Sequence, residues 1–252
     1  VRPVREQVSE EEWRTRVDLA ACYRLVAHYG WDDLIFTHIS ARVPGGHEHF
    51  LINPYGMMFH EITASSLVKV DLEGAIVMPT DYAINPAGFT IHSAIHAARK
   101  DVGCVLHLHT RDGVAVSAMA EGLLPLSQTA MIARVSMAYH DYEGIALDHD
   151  ERTRLVHDLA DRMMMILRNH GTLAVGPDVA EAFLRMFFLE RACSMQVAAL
   201  SGGRPLTMPG DAVQLVVAKQ VFMGAAAGEK PGALAWPGLL RLLDSRDASF
   251  RN

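Results

Sequence analysis

The sequence predicts a single α/β/α domain around a central mixed, largely antiparallel sheet. Three features carry that expectation. Apolar runs of strand length alternate with helical stretches, several neighbouring runs are joined by hairpin-like turns, and the 252 residues contain no internal repeat and no second core. A chain of this length can bury a substantial core as one unit.

The first helix begins at Ser9, which with Glu12 has the spacing of a capping box, while Val8 and Trp13 are placed as its staple. Trp13, Val17, Ala20, Ala21 and Leu25 then form an apolar stripe that ends at Gly30. Short strands are expected over 34–43, 50–53, 67–71 and 75–79, separated by Pro-Gly-Gly and Glu-Gly turns. A helix over 87–99 leads into an apolar strand, and 112–121 is again helical. Strands over 134–139 and 144–146 precede a helix at 148–161, strands at 163–167 and 172–175, and a long helix at 179–201. Residues 1–204 make up the domain. Residues 205–252, with one helix at 211–224 and a Gly/Ala-rich linker, form a tail too short to fold alone, which should pack on the domain or on a neighbouring subunit.

Bulk composition removes several functions. A formal net charge of −6 and no basic run argue against a general nucleic-acid binder. No apolar stretch approaches membrane-spanning length, and the first residues lack the apolar core of a signal peptide. Cys22, Cys104 and Cys193 lie in apolar surroundings without CxxC spacing, which points to a reducing compartment, the cytoplasm.

The chemistry concentrates at 102–110 (VGCVLHLHT), where His107 and His109 close an apolar strand. Side chains at i and i+2 of a strand share a face, so both imidazoles point the same way. His170 ends another apolar run, at 163–171 (MMMILRNHG). Three imidazoles can hold a divalent ion and leave a position open for water or substrate, as catalytic sites do. A plain structural explanation competes, because thirteen histidines will produce His-x-His by chance.

Seven stretches in order, 36–42 (FTHISAR), 50–56 (FLINPYG), 62–67 (ITASSL), 85–92 (NPAGFTIH), 105–110 (VLHLHT), 139–144 (YHDYEG) and 167–171 (LRNHG), resemble the class II aldolase/adducin family. The resemblance implies metal ligands at His107, His109 and His170, one divalent ion (zinc, manganese or iron), a small-molecule substrate and a homotetramer. It also exposes departures. The acid/base glutamate of the family's sugar-phosphate aldolases falls on Gly88, which cannot move a proton. Their phosphate-binding groups fall on His38, on Tyr55 and Gly56, and on Pro86 and Ala87. The match is closer to the adducin-like branch.

These departures favour a lyase acting on a carboxylated, 2-oxo or hydroxy-aromatic substrate by decarboxylation or aldolase-like cleavage. Loss of CO2 requires no base to deprotonate a hydroxyl, so losing the glutamate hurts a decarboxylase less than an aldolase. The carbanion still needs an acid, for which His38, Tyr139, His140 and Tyr142 are candidates. Arg42 and Arg168 could clamp a carboxylate, although each also suits a structural ion pair. Tyr55, Gly56 and Gly88 would line the substrate pocket. His92 and His96 have i, i+4 spacing without the zincin glutamate and suit packing or support of the ligands. An Fe(II) oxygenase on the same histidines and a non-catalytic adducin-like interaction module are the alternatives. The usual iron signature of two His and one carboxylate is absent from this ligand set.

Overall fold

The computed structural model describes residues 2–45, 48–144 and 149–252. Seven strands form one sheet in the order β3-β2-β1-β4-β7-β6-β5. They are β1 (His38–Arg42), β2 (Phe50–Ile52), β3 (Val68–Val70), β4 (Cys104–Leu108), β5 (Met137–His140), β6 (Met164–Leu167) and β7 (Gly171–Gly176). Every neighbouring pair is antiparallel except β5 with β6. β4 and β7, at the centre, are buried throughout, which explains their continuous apolar sequence.

Helices cover both faces. On one, α1 (Glu10–His28), α3 (Arg111–Ser117), α4 (Gln128–Arg134) and α6 (Val179–Ser201) share a core with Leu106, Leu108, Ile166 and Ala174 of the sheet. On the other, α2 (Pro86–Ala98) and α5 (His149–Leu159) pack Ile91, Ile95, Leu155 and Leu159 against Val105, Leu173 and Val175. Adjacent strand residues therefore divide between the two cores, and His107, in phase with Val105, faces the α2/α5 layer.

α1 begins as expected, with Ser9 Oγ accepting the Glu12 amide at 3.1 Å, and Gly30 follows its end at φ +68°. Its capping box is only half made. Glu12 turns inward to Arg16 Nε (3.0 Å) and Lys69 Nζ (2.7 Å), and Arg16 also donates to the carbonyls of Ala64 and Leu67. A fully buried guanidinium needs those partners more than the cap needs its second bond.

Some boundaries move. The strand expected at 34–43 starts only at His38, because the chain before it turns through an isolated Asp33–Phe36 bridge with Leu34 at φ +53°. The segment 75–79 contributes one bridge, Val70 with Ile76. Ser127 caps a short helix, α4, by accepting the Ala130 amide, so β5 begins at Met137 rather than 134. Gly144 lies in a bend, and residues 145–146 of that expected strand are outside the described residues.

The chain after residue 205 forms α7 (Asp211–Ala226) and α8 (Pro231–Asp244) and ends in a 3-10 turn at Ala248–Arg251. α8 lies against α6 and α1, where Trp236 Nε1 donates to Asp18 at 2.8 Å. Phe250 is fully buried, worth about 2–3 kcal/mol, and its carbonyl accepts the Ala64 amide. No described helix is long and apolar enough to cross a membrane.

Candidate metal centre

His107 sits on β4, His109 just past its end, and His170 in the turn between β6 and β7. Asn169 makes that turn possible by adopting φ +55°, a left-handed conformation that asparagine tolerates. Gly171 then lets β7 run close to β4, since a Cβ there would lie 2.3 Å from the Leu108 carbonyl oxygen. The three rings converge, with centroids 4.7–4.8 Å apart. One potential ligand atom from each lies within 4.8 Å of the others.

Which nitrogen faces the centre is decided from behind. His107 Nδ1 lies 3.0 Å from the Thr172 carbonyl oxygen, and His109 Nδ1 lies 3.2 Å from Asp33 Oδ2. Each acceptor calls for an Nδ1–H, and in a neutral ring Nε2 then carries a lone pair. Those two Nε2 atoms are 3.0 Å apart. At that distance the two nitrogens need a shared proton or a metal cation between them, and tetrahedral zinc would hold its nitrogens about 3.3 Å apart. A carbonyl or carboxylate behind each imidazole is the usual support of a metal ligand. The residues present fit a divalent ion.

The electrostatics agree. Burial, reinforced by neighbouring histidines, pushes His107 well below the usual imidazole range and His170 to about 4. Both stay neutral at pH 7, as ligation requires. His107 is buried while His109 and His170 are half-buried, so the cluster has a closed floor and an accessible rim. The Tyr142 ring is 6.3 Å from His170 and exposed. A cleft of about 460 Å³ lined by Asp141, Tyr142, Arg168 and Asn169 adjoins the His170 turn.

The family model for the Class II Aldolase and Adducin N-terminal domain matches residues 17–197. The chain belongs to the class II aldolase and adducin family. A Caulobacter vibrioides protein whose name places it in aldolase class 2 without a substrate is 61% identical over 97% of this chain and 94% of its own length. Alpha-adducin of Rattus norvegicus is 45% identical over 91% of this chain, which spans 33% of adducin. The crystal structure of an aldolase II superfamily protein from Pseudomonas syringae is 52% identical and aligns at TM-score 0.95 over 99% of both chains. An L-fuculose 1-phosphate aldolase from Glaciozyma antarctica PI12 is 26% identical, with TM-score 0.80 over 96% of this chain and 93% of its own.

In this aldolase/adducin domain the candidate residues divide into those gathered at the histidine end of the sheet and those held elsewhere. His38 is gathered there: it pairs with His107 across β1 and β4 and is buried, with neither ring nitrogen bonded among the described residues. Burial, with His109 nearby, pushes it to about 4. Tyr55 and Gly56 follow the end of β2: Tyr55 is exposed and gives its amide to the Ala83 carbonyl at 2.8 Å, and Gly56 has φ +98°. Gly88 lies in the first turn of α2, one turn before His92, whose ring centroid is 6.0 Å from that of His38. His140 acts electrostatically on His170, and its Nδ1 lies 2.8 Å from Asp158.

Tyr139 and Arg42 are not brought to the cluster, and Arg168 lines the adjoining cleft without turning to the imidazoles. Tyr139 is one residue out of phase with His140; it packs into the α1/α6 core, and its hydroxyl accepts the Leu123 amide at 3.0 Å. Arg42 lies at the far end of β1 and caps α2 by donating to the His96 carbonyl at 2.6 Å. Arg168 donates to the Met119 carbonyl at 2.7 Å and stacks over Tyr139. Among the described residues neither arginine forms an ion pair; both bond carbonyl oxygens. His92 and His96 both bond Ser40 Oγ, at 2.7 and 2.8 Å, as packing groups. Sequence reasoning missed Asp33 and the Thr172 carbonyl, which leave no spacing signal.

Proposed function

We propose that this family member is a divalent-metal-dependent lyase that breaks a C–C bond, by decarboxylation or aldolase-like cleavage. Its substrate would be small and carboxylated, 2-oxo or hydroxy-aromatic, and not a sugar phosphate. The observation that carries this reading is the pair of Nε2 atoms 3.0 Å apart, each on a ring with an N–H acceptor behind its Nδ1, beside the third imidazole of His170. Zinc, manganese or iron held by His107, His109 and His170 would supply a Lewis acid for the electrons left by the broken bond.

The surrounding residues support a carboxylated substrate. His38, neutral at pH 7, has one N–H to donate and one lone pair to accept, both buried and unbonded among the described residues. Beside it Thr37 Oγ1 is also buried without a partner among the described residues, on a β-branched residue at φ +66°. Such strain is common where a backbone is held for binding. Substrate oxygens would satisfy both groups. A neutral His38 is a poor proton source, so its role is to orient; His140, backed by Asp158, and Tyr142 are the proposed acids. Gly88 offers no base, a lack that matters least for CO2 loss.

The same proposal includes a homotetramer, supported by α7, where Val213, Leu215, Val216, Phe222 and Met223 are all exposed. A stable monomer in sedimentation at micromolar concentration would count against it. Likeness to alpha-adducin favours a second reading, a non-catalytic interaction module. The test is elemental analysis followed by turnover of 2-oxo acids, ortho-hydroxybenzoates and sugar phosphates, with and without O2. One ion per chain and O2-independent cleavage of a carboxylated substrate is expected. Robust cleavage of fuculose 1-phosphate would overturn the substrate assignment, strict O2 dependence the lyase, and metal-free inert protein would leave the interaction module.

A further inference from the structure

Glu190 of α6 lies on the opposite face of the sheet from the histidine rings and is 3% exposed. Its two carboxylate oxygens are used separately. Oε1 accepts from Thr172 Oγ1 at 2.6 Å, and Oε2 accepts from Thr110 Oγ1. Thr110 Oγ1 itself accepts the Gly113 amide at 3.0 Å, so its single hydroxyl proton is committed to Glu190. The arrangement is close-packed: a Cβ on Gly113 would fall 2.6 Å from Thr110 Oγ1, 2.9 Å from Thr172 Cγ2 and 3.0 Å from Glu190 Oε1.

The two threonines are next to the metal ligands. Thr110 follows His109 directly. Thr172 is two residues after His170, and its carbonyl oxygen accepts from His107 Nδ1. The geometry points to Glu190 as a positioning residue: by tying Thr110 to Thr172 from beneath, it fixes the end of β4 against the start of β7 and so presets the three histidines. This rests on the metal reading above only for its functional consequence.

An ionisable group is an expensive way to join two hydroxyls. Burial pushes Glu190 up to about 7, with both threonine bonds opposing the shift. Above that pH the ionised carboxylate accepts from both hydroxyls at once, whereas a glutamine at this position must turn one contact into a donated bond at any pH, which forces one threonine hydroxyl to reorient. Packing of α6 on the sheet would be served equally well by an apolar side chain.

The experiment is zinc titration of metal-free protein, together with ring 15N shifts of His107, for wild type, Glu190→Gln, Thr172→Val and Thr172→Ser. Glu190→Gln and Thr172→Val should each weaken zinc binding about tenfold or more, as loss of a ligand's support usually does. Thr172→Ser, which keeps the hydroxyl, should restore near wild-type affinity, and the double variant Glu190→Gln/Thr172→Val should lose little beyond either single one. The His107 shifts of the metal-free variants should move away from the Nδ1–H tautomer. If Glu190→Gln does not fold, Thr172→Val against Thr172→Ser carries the test. Folded Glu190→Gln or Thr172→Val protein with zinc affinity within threefold of wild type and unchanged His107 shifts would overturn the proposal. Wild type that binds no zinc but whose His107 shifts still respond to Glu190→Gln would retain the positioning role and reject the metal reading.

Discussion

Two groups of histidines share the α2/α5 side of the sheet, and among the described residues only one of them is arranged to hold a cation. In the first, the Thr172 carbonyl and Asp33 accept at Nδ1 of His107 and His109 from outside, so their Nε2 atoms converge. In the second, Ser40 Oγ sits between His92 Nδ1 and His96 Nε2, and since it has one proton to give, at least one ring donates to it. That hydroxyl fills the place an ion would take, and His96 stacks on Phe50 at 4.3 Å. Histidines in number do not make a metal centre; where the ring N–H groups are tied decides it.

The comparison breaks most readily at a ligand. His170→Ala should lower zinc affinity by roughly a hundredfold or more, because a three-nitrogen site becomes a two-nitrogen one. His92→Gln should change it by less than about threefold. Equal losses in isothermal titration would erase the distinction between the groups.

Next in size is Gly171→Ala. Its methyl group would sit 2.3 Å from the Leu108 carbonyl oxygen and 3.2 Å from His109 Cδ2, so β4 and β7 must separate. A stability loss of about 2–4 kcal/mol is expected by urea denaturation, with weakened metal binding alongside. An unchanged midpoint would show that the strand contact can relax.

Acid sharpens the contrast from the other side. Burial holds His96 at about 3, against about 6.5 when unfolded. Between those values the unfolded chain binds more protons, so His96 contributes stability above pH 6.5 that is lost as pH falls toward 3. In metal-free protein, His96→Gln should flatten that acid limb by on the order of a few kcal/mol across the window. Superimposable urea midpoints from pH 7 to 4 would reject this.

The smallest effect is expected at Asp33→Asn. The amide oxygen can still accept from His109 Nδ1 but carries no charge, so zinc affinity should fall about tenfold with little change in stability. A drop as large as that of His170→Ala would make Asp33 a ligand in its own right.

Much of this was legible in the sequence. The two-residue strand period placed His107 and His109 on one face, and the apolar runs of β4 and β7 marked the central strands. The same period separates Tyr139 from His140, since adjacent strand residues face opposite cores. Arg42 fails for a related reason: four residues along β1 from His38 is about 13 Å, the length of the strand. The supports behind the ligands were not legible. Asp33 meets His109 from 76 residues away, Thr172 contributes a backbone atom, and Glu190 acts from the far side of the sheet. Such contacts come from tertiary packing, which leaves no periodic trace.

The most direct measurement is anomalous diffraction at the zinc edge from crystals of zinc-loaded protein. The account predicts one peak per chain, about 2.0–2.1 Å from His107 Nε2, His109 Nε2 and one ring nitrogen of His170, with none between His92 and His96. Stoichiometric zinc located elsewhere, or its absence from the three histidines in saturated crystals, would contradict it.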